Sequence, residues 1–288
     1  MATTDPITPD SRRFSIRQPR PLWIGVVTGL LVGTVGQALG EDGARPQVNH
    51  IRLLATLEGH EGQVREVAFS PDGKLLASCS DDHTVKLWDV ASRKELGTLA
   101  GHTAEVYALC FSPDGKTLAS AGNARDGFVR IWNLSNRRLN GEFKHRLGTA
   151  KQITYLPGGK KLLLADAMIV TVSDTDGGES EEITAHDSIA ALVSSTAVSP
   201  NGKLLAVGGH AATVAIWDLE TRQVRTQLEA IPEGVRNYNN LHAVVSLAFS
   251  RNGRALASSC GLKIDSTVML WDVAGICTSF EGECVAIE

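Results

Sequence analysis

From residue 64 onward the chain alternates short apolar runs with polar turns, and no stretch sustains a 3.6-residue helical period. The clearest unit begins with VREVAF at 64–69, a β-branched and aromatic run that predicts a strand. Ser70-Pro71-Asp72-Gly73 follows. Proline presets a negative φ and glycine accepts a positive one, so this tetrapeptide predicts a tight turn. KLLASCS at 74–80 predicts a second strand, Asp81-Asp82-His83 a second turn, and TVKLW at 84–88 a third strand. KELGTL at 94–99 is more polar and suits an outer fourth strand. Four short antiparallel strands make a small sheet that cannot bury both faces alone. Stacking such sheets around an axis solves that problem.

The unit recurs. Ser70-Pro71-Asp72-Gly73 aligns with Ser112-Pro113-Asp114-Gly115, Leu156-Pro157-Gly158-Gly159, Ser199-Pro200-Asn201-Gly202 and Ser250-Arg251-Asn252-Gly253. Its last glycine falls at 73, 115, 159, 202 and 253. A second marker keeps step: Trp88-Asp89, Trp132-Asn133, Ser173-Asp174, Trp217-Asp218 and Trp271-Asp272. Spacing of this kind predicts an all-β propeller of about five four-stranded antiparallel blades, as a closed or an incomplete ring.

Gly59-His60 precedes the first unit and Gly101-His102 the second, and Trp-Asp or a variant closes each. Together with the turns, these residues resemble the WD-repeat family over about residues 51–282. The resemblance implies a hydrogen-bonded His, Ser, Asp and Trp tetrad inside each blade. The matching residues are His60, Ser78, Asp82 and Trp88 in the first blade, and His102, Ser120, Asp126 and Trp132 in the second. Their role would be structural, because a buried indole N–H needs an acceptor. A Ser-His-Asp hydrolytic triad uses the same residue types, but here the set recurs and brings Trp with it. The other blades depart from the pattern. The third has Ser173 for Trp and Ala165 for Ser, with His145 remaining; the fourth keeps His186 and Trp217 but has Val207 and Ala211; the fifth keeps Ser258, Asp265 and Trp271.

The expected organisation is a signal peptide or membrane anchor at 1–40, a linker at 41–50, the propeller at 51–282 and a tail at 283–288. The repeats run at about 59–100, 101–144, 145–184, 185–230 and 231–282. RLLATLEGH at 52–60 copies KELGTLAGH at 94–102. The family resemblance implies that such a segment becomes the outer strand of the last blade. Residues 51–57 would then pair with 268–271, unless 278–282 supplies that strand.

Residues 1–50 differ in composition. Arg12, Arg13, Arg17 and Arg20 precede the uncharged stretch 22–40, after which come Glu41 and Asp42. A basic flank, an apolar centre and small residues at its end describe a secretory signal, with cleavage before Glu41. The stretch is also just long enough to span a bilayer, which needs about 20 residues. Either way the basic side stays in the cytoplasm and the propeller is expected outside, periplasmic, secreted or anchored. Residues 11–17 (SRRFSIR) resemble a twin-arginine export signal, with the Phe one place early. In an oxidising compartment Cys277 and Cys284 could form a disulfide.

Net charge is -4 with no basic run, so no nucleic-acid partner is expected, and a membrane contact only through 22–40. No metal-ligand spacing, phosphate loop or nucleophile elbow occurs, so no catalytic residue, metal or cofactor is expected. The expected function is a rigid scaffold for a protein or peptide ligand on its loop face, with Arg125, Arg236, Tyr238 and Lys263 as candidate contacts. The alternatives are an enzyme with its site on the propeller axis, for which Asp166 and His210 are isolated candidates, or a fragment of a longer repeat protein.

Overall fold

The structure is a computed structural model and describes residues 53–145, 148–183, 192–210, 213–230, 243–261 and 267–274. The described residues form five antiparallel sheets. Blade one holds β1 (Val64–Phe69), β2 (Leu75–Ser80), β3 (Thr84–Asp89) and β4 (Lys94–Ala100). Blade two holds β5 (Val106–Phe111), β6 (Thr117–Gly122), β7 (Phe128–Asn133) and β8 (Arg138–Lys144). Blade three holds β9 (Gln152–Tyr155), β10 (Lys161–Ala165), β11 (Val170–Asp174) and β12 (Ser180–Ile183). Blade four holds β13 (Val193–Val198), β14 (Leu204–Gly209), β15 (Thr213–Asp218) and β16 (Val224–Glu229). Blade five holds β17 (Ala243–Phe249), β18 (Ala255–Gly261) and β19 (Thr267–Asp272), so its sheet has three described strands.

The turn tetrapeptide works as its residues dictate. Ser70 Oγ donates to Asp72 Oδ1 at 2.7 Å and accepts the Leu75 N–H at 2.9 Å, while Gly73 takes φ 70°. Ser112, Ser199 and Ser250 repeat these bonds with Asp114, Asn201 and Asn252. The leucine of blade three, Leu156, has no hydroxyl to do so, yet its turn keeps the Gly159 N–H to Leu156 carbonyl bond at 2.9 Å.

The second strands β6 and β14 are buried on both faces because blades two and four each have a neighbour on either side. The core is four seams. One joins Val85 and Leu87 of blade one to Leu109, Phe111 and Trp132 of blade two. Val129 and Ile131 meet Ile153 and Tyr155 across the next seam. Val170 and Val172 then meet Leu205 and Val207, and Val214 and Ile216 meet Leu247 and Phe249. Among the described residues no core cluster joins blade five to blade one. The expected closing pair is not formed. Residues 53–57 are in no strand, and among the described residues β19 pairs with β18 alone. Leu53 and Leu54 remain exposed, while Ala55 and Leu57 are partly buried. Residues 51–52 and 278–282 lie outside the described residues.

Polar bonds on the inner strands cross the seams as well. The Glu66 carboxylate accepts the Leu109 N–H at 2.8 Å. Gln152 Oε1 accepts the Thr196 N–H at 3.0 Å, and its amide donates to the Thr196 carbonyl at 3.0 Å. Ser195 Oγ accepts the Leu247 N–H at 3.2 Å. Burial pushes the Glu66 carboxyl up to about 8, with the Leu109 bond opposing. A raised acid favours its neutral form in the fold, so its contribution to stability is complete below its ordinary 4.5 and is lost as pH rises through about 8. Glu66→Gln should therefore match the wild type in stability near pH 4.5 and exceed it progressively toward pH 8. Denaturant titrations across that window check this; parallel pH profiles would show that Glu66 titrates normally.

Candidate functional site

Two sets of residues bear on function: the tetrads of blades one and two with their remnants in the other blades, and the end of the molecule where the entry loops and the β2–β3-type turns meet. In blade one the Trp88 indole N–H donates to Ser78 Oγ at 2.9 Å. Ser78 Oγ lies 2.7 Å from His60 Nε2, and His60 Nδ1 lies 2.7 Å from Asp82 Oδ2. Burial opposes ionisation of Asp82, but bonds from Thr84, His60 and the Glu61 N–H outweigh it and hold the carboxyl at about 2. With an ionised acceptor at Asp82, Nδ1 carries the proton. Nε2 then accepts from the serine hydroxyl, whose oxygen is left for the indole.

Blade two repeats the set with Trp132 to Ser120 at 2.8 Å, Ser120 to His102 Nε2 at 2.7 Å and His102 Nδ1 to Asp126 Oδ2 at 2.8 Å. Arg130 adds a cation: its Nη1 is 2.7 Å from Asp126 Oδ2. Burial lowers the His102 imidazole to about 4; Asp126 pulls it upward, and Arg130 pushes it further down. The ring is therefore neutral at physiological pH, as its accepting role requires.

The remaining blades keep less. Trp271 donates to Ser258 Oγ at 2.9 Å in blade five, while Asp265 lies outside the described residues. In blade four Leu205 pairs with Trp217 and Val207 occupies the serine position. His186 and Ala211 lie outside the described residues, and among those described the buried Trp217 Nε1 has no acceptor. In blade three the serine position is Leu164, not Ala165. Strand pairing of Leu162 with Ser173 puts Leu164 in line with Ser78 and Ser120, facing Ile153. His145 is buried there, and Ser173 Oγ lies 3.0 Å from Ser180 Oγ.

At the loop end, backbone bonds tie each middle turn to its blade's entry. Asp81 N–H donates to the Gln63 carbonyl at 3.0 Å, Asn123 N–H to Glu105 at 2.9 Å and His210 N–H to Leu192 at 3.0 Å. The first residues of the inner strands gather around the axis. Arg65 grips Asp81 with two bonds of 2.6 Å and lies over the Tyr107 ring at 4.8 Å. Below the rim is a cavity of about 150 Å³ lined by Glu66, Lys151, Gln152, Asp166, Ser194 and Ser195, with Val245 at its edge. Asp166 accepts the Met168 and Ile169 N–H groups at 2.6 and 2.8 Å, which caps its own turn. Among the described residues no group of three or more His, Cys, Asp or Glu could hold a metal ion.

Of the candidate contacts, Arg125 is exposed at the tip of the enlarged turn of blade two, where its N–H donates to Asn123 Oδ1 at 2.8 Å. Arg236, Tyr238 and Lys263 lie outside the described residues. Arg65, Tyr107 and Lys151 were not singled out by sequence reasoning. Their signal is positional: each stands five residues before the first residue of its blade's turn tetrapeptide, Ser70, Ser112 or Leu156. A second concavity of about 750 Å³ lies between blades two and three, lined by Asp114, Ile131, Glu142, Tyr155 and Asp176 among others. Ser173, in the tryptophan position, leaves this seam without an indole.

The tetrad geometry separates two tryptophans. Trp88→Ala should cost about 3–5 kcal/mol for the lost side chain and about 1–3 more for the stranded Ser78 and His60. Trp217→Ala should cost less, because the missing side chain takes an unsatisfied N–H with it. Equilibrium unfolding of both variants decides the matter, and equal losses would mean that the hydrogen-bonded chain adds nothing.

With this geometry in hand, comparison with known proteins is direct. Residues 51–89, 93–133, 178–218 and 237–272 match the "WD domain, G-beta repeat" family, together more than half of the 288 residues. The stretch between the second and third matches contains Ser173, where the tetrad is lost. The chain is 31% identical over 221 residues to "Periodic tryptophan protein 2" of Arabidopsis thaliana, covering 75% of this chain and 22% of that protein. It is 46% identical over 55 residues to "Probable cytosolic iron-sulfur protein assembly protein 1" of Vanderwaltozyma polyspora, covering 19% and 16% of the two chains. "Protein LST8 homolog" of Dictyostelium discoideum is 44% identical over 52 residues, covering 18% and 16%. The chain thus spans about a fifth or less of the length of these relatives. Built of antiparallel sheets stacked face to face, three of them with an indole tied to serine, and matched over most of its repeats, this chain belongs to the WD-repeat family.

Proposed function

We propose that this chain is a protein-interaction scaffold that presents the loop end of its blades to a protein or peptide, and that it does so outside the cytoplasm or tethered to a membrane. The observation that carries the binding surface is the rim of the axis. Inner strands fixed by the seams and the residues entering them place a guanidinium paired with Asp81, a phenol, an ammonium and a hydroxyl that donates to the Gly208 and Val244 carbonyls on four different blades, at Arg65, Tyr107, Lys151 and Ser194. Arg and Tyr are over-represented among residues that dominate binding energy, and rigid placement lowers the entropy cost of using them. WD-repeat relatives in general bind proteins, which fits this use of the frame. An axial active site would need carboxylates or histidines free to meet a substrate. Glu66 and Asp166 are instead committed to backbone N–H groups.

The reading is tested by affinity capture from the source cells with the full chain as bait, beside Tyr107→Ala, Lys151→Glu and Arg125→Ala. A partner recovered by the wild type should fall at least about tenfold with one or more variants, a difference of about 1.4 kcal/mol, while melting temperatures stay unchanged. Undiminished recovery by all three would place the contact elsewhere.

The location rests on the order of charges in residues 12–42, with arginines before the uncharged stretch and acids after it. Among the described residues no helix is long and apolar enough to cross a membrane, and 1–40 lie outside them. N-terminal sequencing of protein from the source cell should find a start near Glu41, or a full-length chain in the membrane fraction. A full-length chain recovered only in the cytoplasm would end the export reading.

A further inference from the structure

Each blade turns two apolar residues of its third strand toward the next blade. They are Val85 and Leu87, Val129 and Ile131, Val170 and Val172, and Val214 and Ile216, all no more than 8% exposed. Strand pairing places Val268 and Leu270 at the same two positions of blade five. They are 77% and 76% exposed. The opposite end of the stack shows the matching gap. Phe111, Tyr155 and Phe249 each pack on the preceding blade and are at most 9% exposed, whereas Phe69 of blade one is 49% exposed. The turns agree: Pro71, Pro113, Pro157 and Pro200 each seat beside the turn glycine of the following blade, but nothing lies within 4 Å of a Cβ placed on Gly73.

We infer that the exposed face of blade five is a docking surface for blade one of a second copy of this chain, so that copies stack head to tail. The two ends carry the same complementary residue sets as the four internal seams. Beyond the apolar pairs, Ser246 occupies in blade five the inner-strand place of Glu66 and Ser195, which accept an N–H from the next blade. The residue that would face it is Val67, in the place of Leu109 and Leu247. Blade five has Arg251 where blades one to four have the seating proline. That cation would lie beside Gly73 and the exposed Asp72 carboxylate of the second copy, an opposite charge. The contact is heterologous, because it joins two different surfaces, so it builds rings or chains of copies and not a two-fold dimer alone.

The test uses the full chain and three variants. Light scattering over a concentration series should show wild-type assemblies larger than one chain. Val268→Glu with Leu270→Glu, and separately Phe69→Glu, should each give monomers with melting temperatures close to one another. Mixing these two variants should restore a dimer and nothing larger, since each blocks a different end. The surface variant Arg138→Glu should assemble as the wild type does. A wild type that stays monomeric overturns the inference, whether because the ring closes within one chain or because another protein covers the face. Variants that are monomeric but do not recombine overturn the head-to-tail arrangement. Should Phe69→Glu unfold, the milder Phe69→Gln replaces it as the block on blade one, with the same expected and contrary results.

Discussion

A four-stranded sheet made of these sequences has two apolar faces and almost no polar one, and the whole structure follows from the need to cover both. β14 shows the condition most sharply, since all six of its residues are buried. Such a strand is stable only between neighbours. Apolar burial at about 25 cal/mol per Å² drives the stacking, and it has no directional preference of its own. Direction comes from the polar bonds that cross the seams at Glu66, Gln152 and Ser195, which fix how far each inner strand slides against the next. The rim residues inherit their positions from those bonds.

Within a blade the harder problem is the indole. Its area favours burial and its N–H resists it. Blades one and two answer with a chain of donors and acceptors that ends on an ionised carboxylate, and Arg130 adds a counter-charge where burial is deepest. Blade three avoids the problem by giving up the indole, with Ser173 bonded across to Ser180. Blade four keeps Trp217 over Val207, and among the described residues its indole N–H has no acceptor, which makes it a destabilising point in the blade. Departures from the repeat therefore do not form one class. Blade three gives up the indole and keeps a buried histidine, His145, whereas blade four keeps the indole and has Val207 in place of its serine acceptor.

Much of this was legible in the residues. Ser-Pro-Asp-Gly and its variants locate the turn between the first two strands of each blade, because serine, carboxylate or amide, and glycine each have one job there. The family resemblance implied the set His60, Ser78, Asp82 and Trp88 and its counterpart in blade two, and in both the side chains lie within hydrogen-bonding distance. Blade three could not be read so well. Its turn has lost the serine, its third strand the tryptophan, and the serine position was placed one residue late, at Ala165 and not Leu164. A strand's side chains alternate, so a one-residue slip reverses which face a residue is given. The rim was illegible for a different reason. Arg65, Tyr107 and Lys151 share a place in space and nothing in type, and a repeat search looks for what is the same.

The ends of the stack show where a repeat pattern stops carrying information. TVKLW at 84–88 and TVMLW at 267–271 differ by one residue, and in both the apolar side chains alternate with those that face the blade's own partner. In blade one Val85 and Leu87 are buried; in blade five Val268 and Leu270 are bare. The sequence of a blade specifies what its face requires, which is another blade's apolar front, but not whether the same chain provides it. In repeat architectures terminal units usually carry a polar outer face that ends the stack. The described residues of blade five present an apolar face instead, and a face of this kind that is left uncovered invites association. The physics that builds each seam inside the chain applies equally to a blade that arrives from outside it.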